Sequence, residues 1–274
     1  MKMKDDPNLP NIIALKGINQ SYDGGQSYII KDLDLLVEDK PAQGQFVVIL
    51  GMSGSGKSTL LRYIAGLQEP TSGEVLLNGR KVGADNRASM VFQQYSSLPW
   101  MSVLDNVGLP LLYKGMGRSE RDDRSMEMIR LVGLEGHESK FAQYPALSGG
   151  QLQRVAIARS LLANSSVILM DEPFGALDVK TRLQMQDLLS KIWNEIHPTV
   201  VFVTHDISEA IYLGDEIYIM SSPPANFVEH IHIDLPLYRN RELKRSKAFM
   251  DLVHHIEDRM VEIAEQTQNE NAQL

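Results

Sequence analysis

The chain has 274 residues, 43% hydrophobic and 23% charged, which is enough apolar material for a full globular core. Its net charge of −8, from 27 basic against 35 acidic residues, argues against a nucleic-acid binder that relies on a broad basic surface. It has no cysteine, which excludes a disulfide framework and a thiolate metal site. No apolar run reaches the ~18 residues needed to span a bilayer. The opening Met1-Lys2-Met3-Lys4-Asp5-Asp6-Pro7 has no apolar signal region. A cytoplasmic chain that does not itself cross a membrane is therefore expected.

In chain order, Ile29-Ile30 and Leu33-Asp34-Leu35-Leu36-Val37 alternate partly, as strands with one wet face do. The run Phe46-Val47-Val48-Ile49-Leu50 feeds Gly51-Met52-Ser53-Gly54-Ser55-Gly56-Lys57-Ser58, and a helical stretch follows over residues 59–65. Strand, glycine loop, helix is the setting in which G-x-x-x-x-G-K-[ST] cradles phosphate. The glycines let backbone N–H groups converge on phosphate oxygens, and the helix N-terminus adds positive potential. Lys57 is placed to reach the β- and γ-phosphates of a nucleotide, and the Ser58 hydroxyl to ligate Mg²⁺. The blander alternative, a glycine-rich turn with one exposed lysine, is disfavoured by this setting.

Three more runs lack polar alternation: residues 90–92, 167–170 and 200–203. Such runs suit strands buried on both faces, so an α/β fold with a largely parallel, helix-covered sheet is expected. Each run ends in polar residues: Gln93, then Asp171-Glu172-Pro173, then Thr204-His205-Asp206. In open α/β sheets ligands bind beyond the carboxyl ends of the strands, so all of these would meet at one edge. Asp171 suits Mg²⁺, partnering Ser58. Glu172 is the candidate base for an attacking water, with Pro173 expected to hold it extended. Gln93 can contact Mg²⁺ or that water, and His205 can hydrogen-bond a γ-phosphate. Singly, each of these residues is an ordinary strand end; their joint placement behind a phosphate loop carries the reading.

Between these runs, residues 118–130 are helical with a charged face, and Met126, Ile129 and Val132 form the apolar side. Leu147-Ser148-Gly149-Gly150-Gln151 precedes a helix over residues 152–163. Ser148 is suited to cap it, and the glycines expose free N–H groups, a second anion-type site. Near the end, Phe249, Leu252, Val253, Ile256, Met260 and Ile263 repeat at helical spacing. They indicate a helix within residues 243–263 packed on the body of the protein, rather than a regulatory module. Residues 265–274 read as a frayed polar tail.

With these motifs in place, residues 11–235 resemble the ATP-binding subunit of ABC (ATP-binding cassette) transporters. Walker A is residues 51–58, the signature motif 147–151, Walker B 167–172 and the D-loop Ala176-Leu177-Asp178, while Gln93 and His205 stand at the Q- and H-loops. The resemblance implies a P-loop NTPase core of RecA-like type, with an antiparallel β-subdomain and a helical subdomain at about 94–165. The ATPase domain would cover residues 11–240, leaving 241–274 for a C-terminal helix and tail. ATP would contact Gly51, Ser53, Gly54, Ser55, Gly56, Lys57, Ser58, Thr59 and Gln93. Tyr22, or less well Tyr28, would stack on adenine, and Mg²⁺ would be held by Ser58, Asp171 and Gln93. Lys57, Gln93, Glu172 and His205 would carry the chemistry. Two cassettes, expected as a homodimer, would sandwich ATP head to tail, with Ser148, Gly149, Gly150 and Gln151 of one copy closing the other's site and Asp178 at the seam. Membrane-spanning permease subunits would dock near Gln93 on the cytoplasmic face of the inner membrane, and a solute-binding protein would act indirectly.

Ser97-Leu98-Pro99-Trp100 and Val103-Leu104-Asp105-Asn106-Val107 resemble importers of nitrate, sulfonates, taurine and bicarbonate, as does Ser221-Ser222-Pro223-Pro224. The chain departs from the family at Met52, where proline is commoner, at Gly175, where serine is commoner, and in an enlarged turn over residues 39–43. None of these removes a catalytic group. An exporter or lipid-transport cassette, a soluble ABC-type ATPase and a catalytically idle cassette are the alternatives. No coiled-coil insertion or second cassette supports the soluble ATPase, and the intact Glu172 and His205 oppose the idle one.

Overall fold

The computed structural model describes residues 11–38, 44–83, 85–236 and 238–271. The enlarged turn expected at residues 39–43 lies outside them. Strands β1 (Asn11–Gln20), β2 (Ile30–Glu38), β4 (Ser72–Leu77) and β5 (Arg80–Lys81) form an antiparallel sheet in the order β2-β1-β4-β5. A second sheet contains β3 (Phe46–Gly51), β6 (Ser89–Val91), β7 (Val167–Asp171), β8 (Thr199–Thr204), β9 (Glu216–Met220) and β10 (Phe227–His232), in the order β10-β9-β3-β8-β7-β6. All its pairings are parallel except β10 against β9.

The unbroken apolar runs follow from two-sided burial. Phe46, Val48 and Leu50 of β3 point into one hydrophobic cluster, and Val47 and Ile49 into another. The same split divides Val200 and Phe202 from Val201 and Val203 in β8, and Ile168 and Met170 from Val167 and Leu169 in β7. Full burial of each such side chain contributes about 1.5–3 kcal/mol. The second cluster is sealed by the antiparallel sheet and by helix α1 (Lys57–Ile64), through Leu60, Leu61, Tyr63 and Ile64.

The first cluster is covered by α4 (Gly149–Leu162), α5 (Val179–Ile196), α6 (Ile207–Leu213) and α7 (Lys247–Asn271). Helices α2 (Val103–Tyr113) and α3 (Arg118–Leu131) pack on each other and on α4. On α3, Ile129 is buried and Met126 partly so, and Val132, just past the helix, is buried too, on the side their spacing implies. Their close approach needs Gly108, where a Cβ would lie 2.8 Å from Ser125 Oγ.

The C-terminal helix differs from its expected limits. It starts at Lys247, after a 3-10 turn at Leu243–Arg245, with the Ser246 hydroxyl accepting the Phe249 N–H. It runs through Asn271 rather than fraying from 265, as a continuation of the turns that Phe249, Val253 and Ile256 anchor. Phe249, Val253 and Ile256 are buried in the core. Among the described residues no helix is long and apolar enough to cross a membrane.

Candidate functional site

Parallel register aligns the carboxyl ends of the central strands. Leu50 pairs with Thr204, Asp171 with Val203, and Val91 with Met170. The segments after β3, β6, β7 and β8 therefore emerge together, bringing Lys57, Ser58, Gln93, Asp171, Glu172 and His205 to one edge.

The loop between β3 and α1 turns at Gly54 and Gly56, with φ of +83° and +94°, where a side chain would be strained. A Cβ on Gly51 would lie 2.9 Å from the Met220 carbonyl oxygen. Buried Lys57 folds across the loop, its Nζ donating to the carbonyls of Gly51 at 2.9 Å and Met52 at 2.7 Å. Burial lowers its ammonium pKa, against the pull of the Glu172 and Asp171 carboxylates.

Ser58 Oγ donates to Asp171 Oδ1 at 2.8 Å. Burial raises the Asp171 carboxyl above its ordinary range, while this hydrogen bond acts the other way. A hydroxyl and a carboxylate so paired are hard oxygen donors of the kind Mg²⁺ takes, with phosphate and water completing the shell. No group of three or more His, Cys, Asp or Glu among the described residues could hold a metal by itself.

Glu172 corrects one expectation. Its backbone is not extended: φ is +42°, in the left-handed region. Its N–H is tied to the Val203 carbonyl at 3.0 Å, and its own carbonyl accepts the Gly175 N–H at 3.0 Å. These bonds override the preference that Pro173 imposes, and backbone strain of this kind costs about 1–3 kcal/mol. The turn aims Glu172 away from Asp171. Its Oε2 lies 3.5 Å from Gln93 Nε2 and 3.3 Å from His205 Nδ1. Gly175 leaves room for this meeting, since a Cβ there would be 3.2 Å from the Gln93 amide.

The segment after Leu147 begins helix α4 at Gly149, three residues before the expected start at 152. Ser148 and Gln151 form a reciprocal capping box, at 3.4 Å and 2.9 Å. Both glycines are required sterically: a Cβ on Gly149 would meet the Tyr95 hydroxyl at 2.1 Å, and one on Gly150 the Thr181 methyl at 2.4 Å. The Gln151 amide also meets His137 at 2.9 Å, so its side chain is engaged within the chain. Asp178 caps α5 through Thr181 at 3.0 Å and 2.6 Å. Tyr22 presents an exposed ring, its hydroxyl 3.4 Å from Gln68 Nε2. No hydrogen bond among the described residues joins the Ser148 loop to the loop of residues 51–58.

Sequence reasoning missed Tyr95, which packs on Gly149, and Arg159, whose guanidinium on α4 holds Ser96 at 2.8 Å and 2.9 Å. It also missed Glu209, although Asp206-x-x-Glu209 has capping-box spacing. The Asp206 side chain does accept the Glu209 N–H, but the Glu209 carboxylate goes to Thr204.

Comparison with known proteins gives the family of the chain. The family described as "ABC transporter" matches residues 37–175. The taurine import ATP-binding protein TauB of Rhizobium johnstonii is 49% identical over 74% of this chain and 76% of its own length. The nitrate import ATP-binding protein NrtD of a Synechocystis species is 41% identical over 82% and 83%. The dimeric, post-hydrolysis structure of the ATP-binding cassette MJ0796 with ADP and Pi superposes with a TM-score of 0.68 at 36% identity, covering 82% of this chain and all of that one. The chain belongs to the ABC transporter family, as an ATP-binding cassette with the α/β P-loop NTPase fold. It is an ATPase.

Proposed function

We propose that this chain is the ATP-hydrolysing subunit of a membrane importer for a small anionic or zwitterionic solute of the taurine or nitrate kind. The observation that carries this reading is the likeness to import ATP-binding proteins over about three quarters or more of both chains. The cassette spans residues 11–240, with its helical subdomain at about 94–165, and residues 241–274 form a C-terminal extension.

In the proposed mechanism, the amides of residues 51–59 and Lys57 hold the triphosphate, and Tyr22 stacks on adenine. Ser58 and Asp171, together with Gln93, would hold Mg²⁺, which would neutralise charge developing on the phosphates. Glu172 takes a proton from water. The water oxygen bonds to the γ-phosphorus as the bond to the bridging oxygen breaks, giving ADP and phosphate. His205 and Gln93 keep the Glu172 carboxylate oriented, and His205 faces the γ-phosphate. Ser148, Gly149 and Gly150 of a second copy close over that phosphate, with Asp178 at the seam. This arrangement is supported by the Ser148-Gly149-Gly150 start of α4, where the glycines carry no side chain, and by the dimeric state of the MJ0796 cassette. The dimer drives permease subunits at the cytoplasmic face of the membrane, and a solute-binding protein delivers the cargo.

The test is uptake of labelled taurine and nitrate by host cells in which this chain is replaced by its Lys57→Ala variant. Loss of one uptake activity supports the proposal. Retention of both would remove taurine and nitrate as its cargo.

A further inference from the structure

Behind His205 lies a polar network that the roles above do not use. Thr204, Gln186 and Glu209 are at most 5% exposed. Thr204 Oγ1 donates to Glu209 Oε2 at 2.8 Å and accepts the Asp206 N–H at 3.0 Å. Asp206 Oδ1 accepts the Glu209 N–H at 3.0 Å. The residues on either side of His205 are thus both fastened to Glu209, one through its carboxylate and one through its amide. The His205 ring is exposed and has its contact with Glu172 at 3.3 Å.

The chain of contacts continues outward. Glu209 Oε1 accepts Gln186 Nε2 at 3.1 Å, and Gln186 Oε1 accepts Lys244 Nζ at 2.6 Å. A carboxylate can only accept and an ammonium only donate, so the Gln186 amide has one orientation that serves both. Lys244 belongs to a strap, residues 239–245, that crosses α5 and α6. Its ammonium lies 4.3 Å from the centre of the Tyr212 ring, and the Tyr212 hydroxyl donates to Asp187 at 2.9 Å. Arg241 pairs with the same carboxylate at 2.7 Å.

Glu209 needs this arrangement. A buried carboxylate is costly unless it is compensated. Its hydrogen-bond partners are neutral, and the Arg182 guanidinium forms an ion pair with it at 3.9 Å without a hydrogen bond. Lys244 adds to this positive charge from the other side, through the Gln186 amide. Burial raises the Glu209 carboxyl and lowers the Lys244 ammonium, as expected of groups withdrawn from water.

We propose that Glu209 and Lys244 are positioning residues for hydrolysis: through Gln186 they let the strap of residues 239–245 hold His205 against Glu172. The proposal rests on the assignment of Glu172 and His205 made above. A partner that lifted the strap would loosen the His205 loop without touching the nucleotide.

The test uses the full chain with Lys244→Met, Lys244→Arg and Glu209→Gln. Lys244 is partly exposed, so its methionine variant keeps the apolar stem and folds. It lowers kcat about tenfold, the scale of a displaced positioning contact, with KM for ATP unchanged. Lys244→Arg restores most of that loss. In protein labelled with ¹⁵N-histidine, the His205 ring resonance is identified by its absence in His205→Ala. It shifts in Lys244→Met and Glu209→Gln and returns in Lys244→Arg. An unmoved resonance overturns the proposal, whether or not kcat falls, because a loss without movement of the ring would be a general loss of structure. Wild-type turnover by His205→Ala would instead sink the assignment of His205.

Discussion

At the scale of single residues, the candidate site depends on two neighbours pointing apart. Asp171 pairs with Ser58, while a left-handed turn at Glu172 sends the next carboxylate to Gln93 and His205. If Glu172 is the base, Glu172→Gln keeps its shape and its ability to bind ATP, but slows hydrolysis by about 10²–10⁴-fold. A single-turnover assay beside a nucleotide-binding titration checks this; near-normal turnover would move the base elsewhere. The residues of this site were legible because their signals are local: a glycine loop after an apolar run, and polar residues where such runs stop. The turn at Glu172 was not legible, since it is fixed by the Val203 carbonyl, which belongs to a neighbouring strand. Tyr95 against Gly149 and Glu209 beneath Thr204 were hidden for the same reason, being contacts across the fold.

At the scale of elements, two-sided burial made the central strands readable as runs, and α3 and α7 were readable from their apolar stripes. Helix α2 was not, because Gly108 and Pro110 interrupt any helical reading of its sequence. Its buried face needs the glycine for packing on α3. Helix α7 belongs to the body of the cassette through Phe249, Val253 and Ile256. Phe249→Ala should therefore destabilise the whole protein by about 3–5 kcal/mol in denaturant unfolding, as a large core truncation does. A loss under 1 kcal/mol would make α7 an independent appendage. The β9–β10 edge carries a pH-dependent element. Glu216 accepts from His230 Nε2 at 2.8 Å and from His232 Nδ1 at 2.9 Å. Burial alone would raise its pKa, but these bonds outweigh it and the carboxyl ends below its ordinary value. A depressed carboxyl adds stability above its unfolded pKa, and that stability is lost as pH falls through the folded value. The stability advantage of wild type over Glu216→Gln should thus be present near neutrality and be lost as pH falls below the ordinary carboxylate range. An advantage kept in full at pH values below the ordinary carboxylate range would contradict this sign.

At the scale of the whole molecule, one chain holds two anion-type sites that no hydrogen bond among its described residues connects. In the sandwich proposed above, a second copy brings the start of its α4 to the first copy's loop of residues 51–58, so that the two serve one site. The capped start of α4 was legible from Ser148 and the glycines; the pairing of copies came from family resemblance, since one chain's residues carry no record of a partner's position. Ser148→Arg places a bulky cation at that start and should block ATP-driven dimerisation, with nucleotide affinity unchanged, when followed by light scattering in the Glu172→Gln background. Dimers formed as readily as before would remove the case for a sandwich. The central claim is that this ATPase is the motor of a membrane importer. It is tested most directly by affinity purification of the chain from detergent-solubilised membranes of its host, with identification of what accompanies it. The account predicts a stoichiometric permease with several membrane spans. Recovery from the soluble fraction alone, with ribosomes, nucleic acid or no partner, would contradict it.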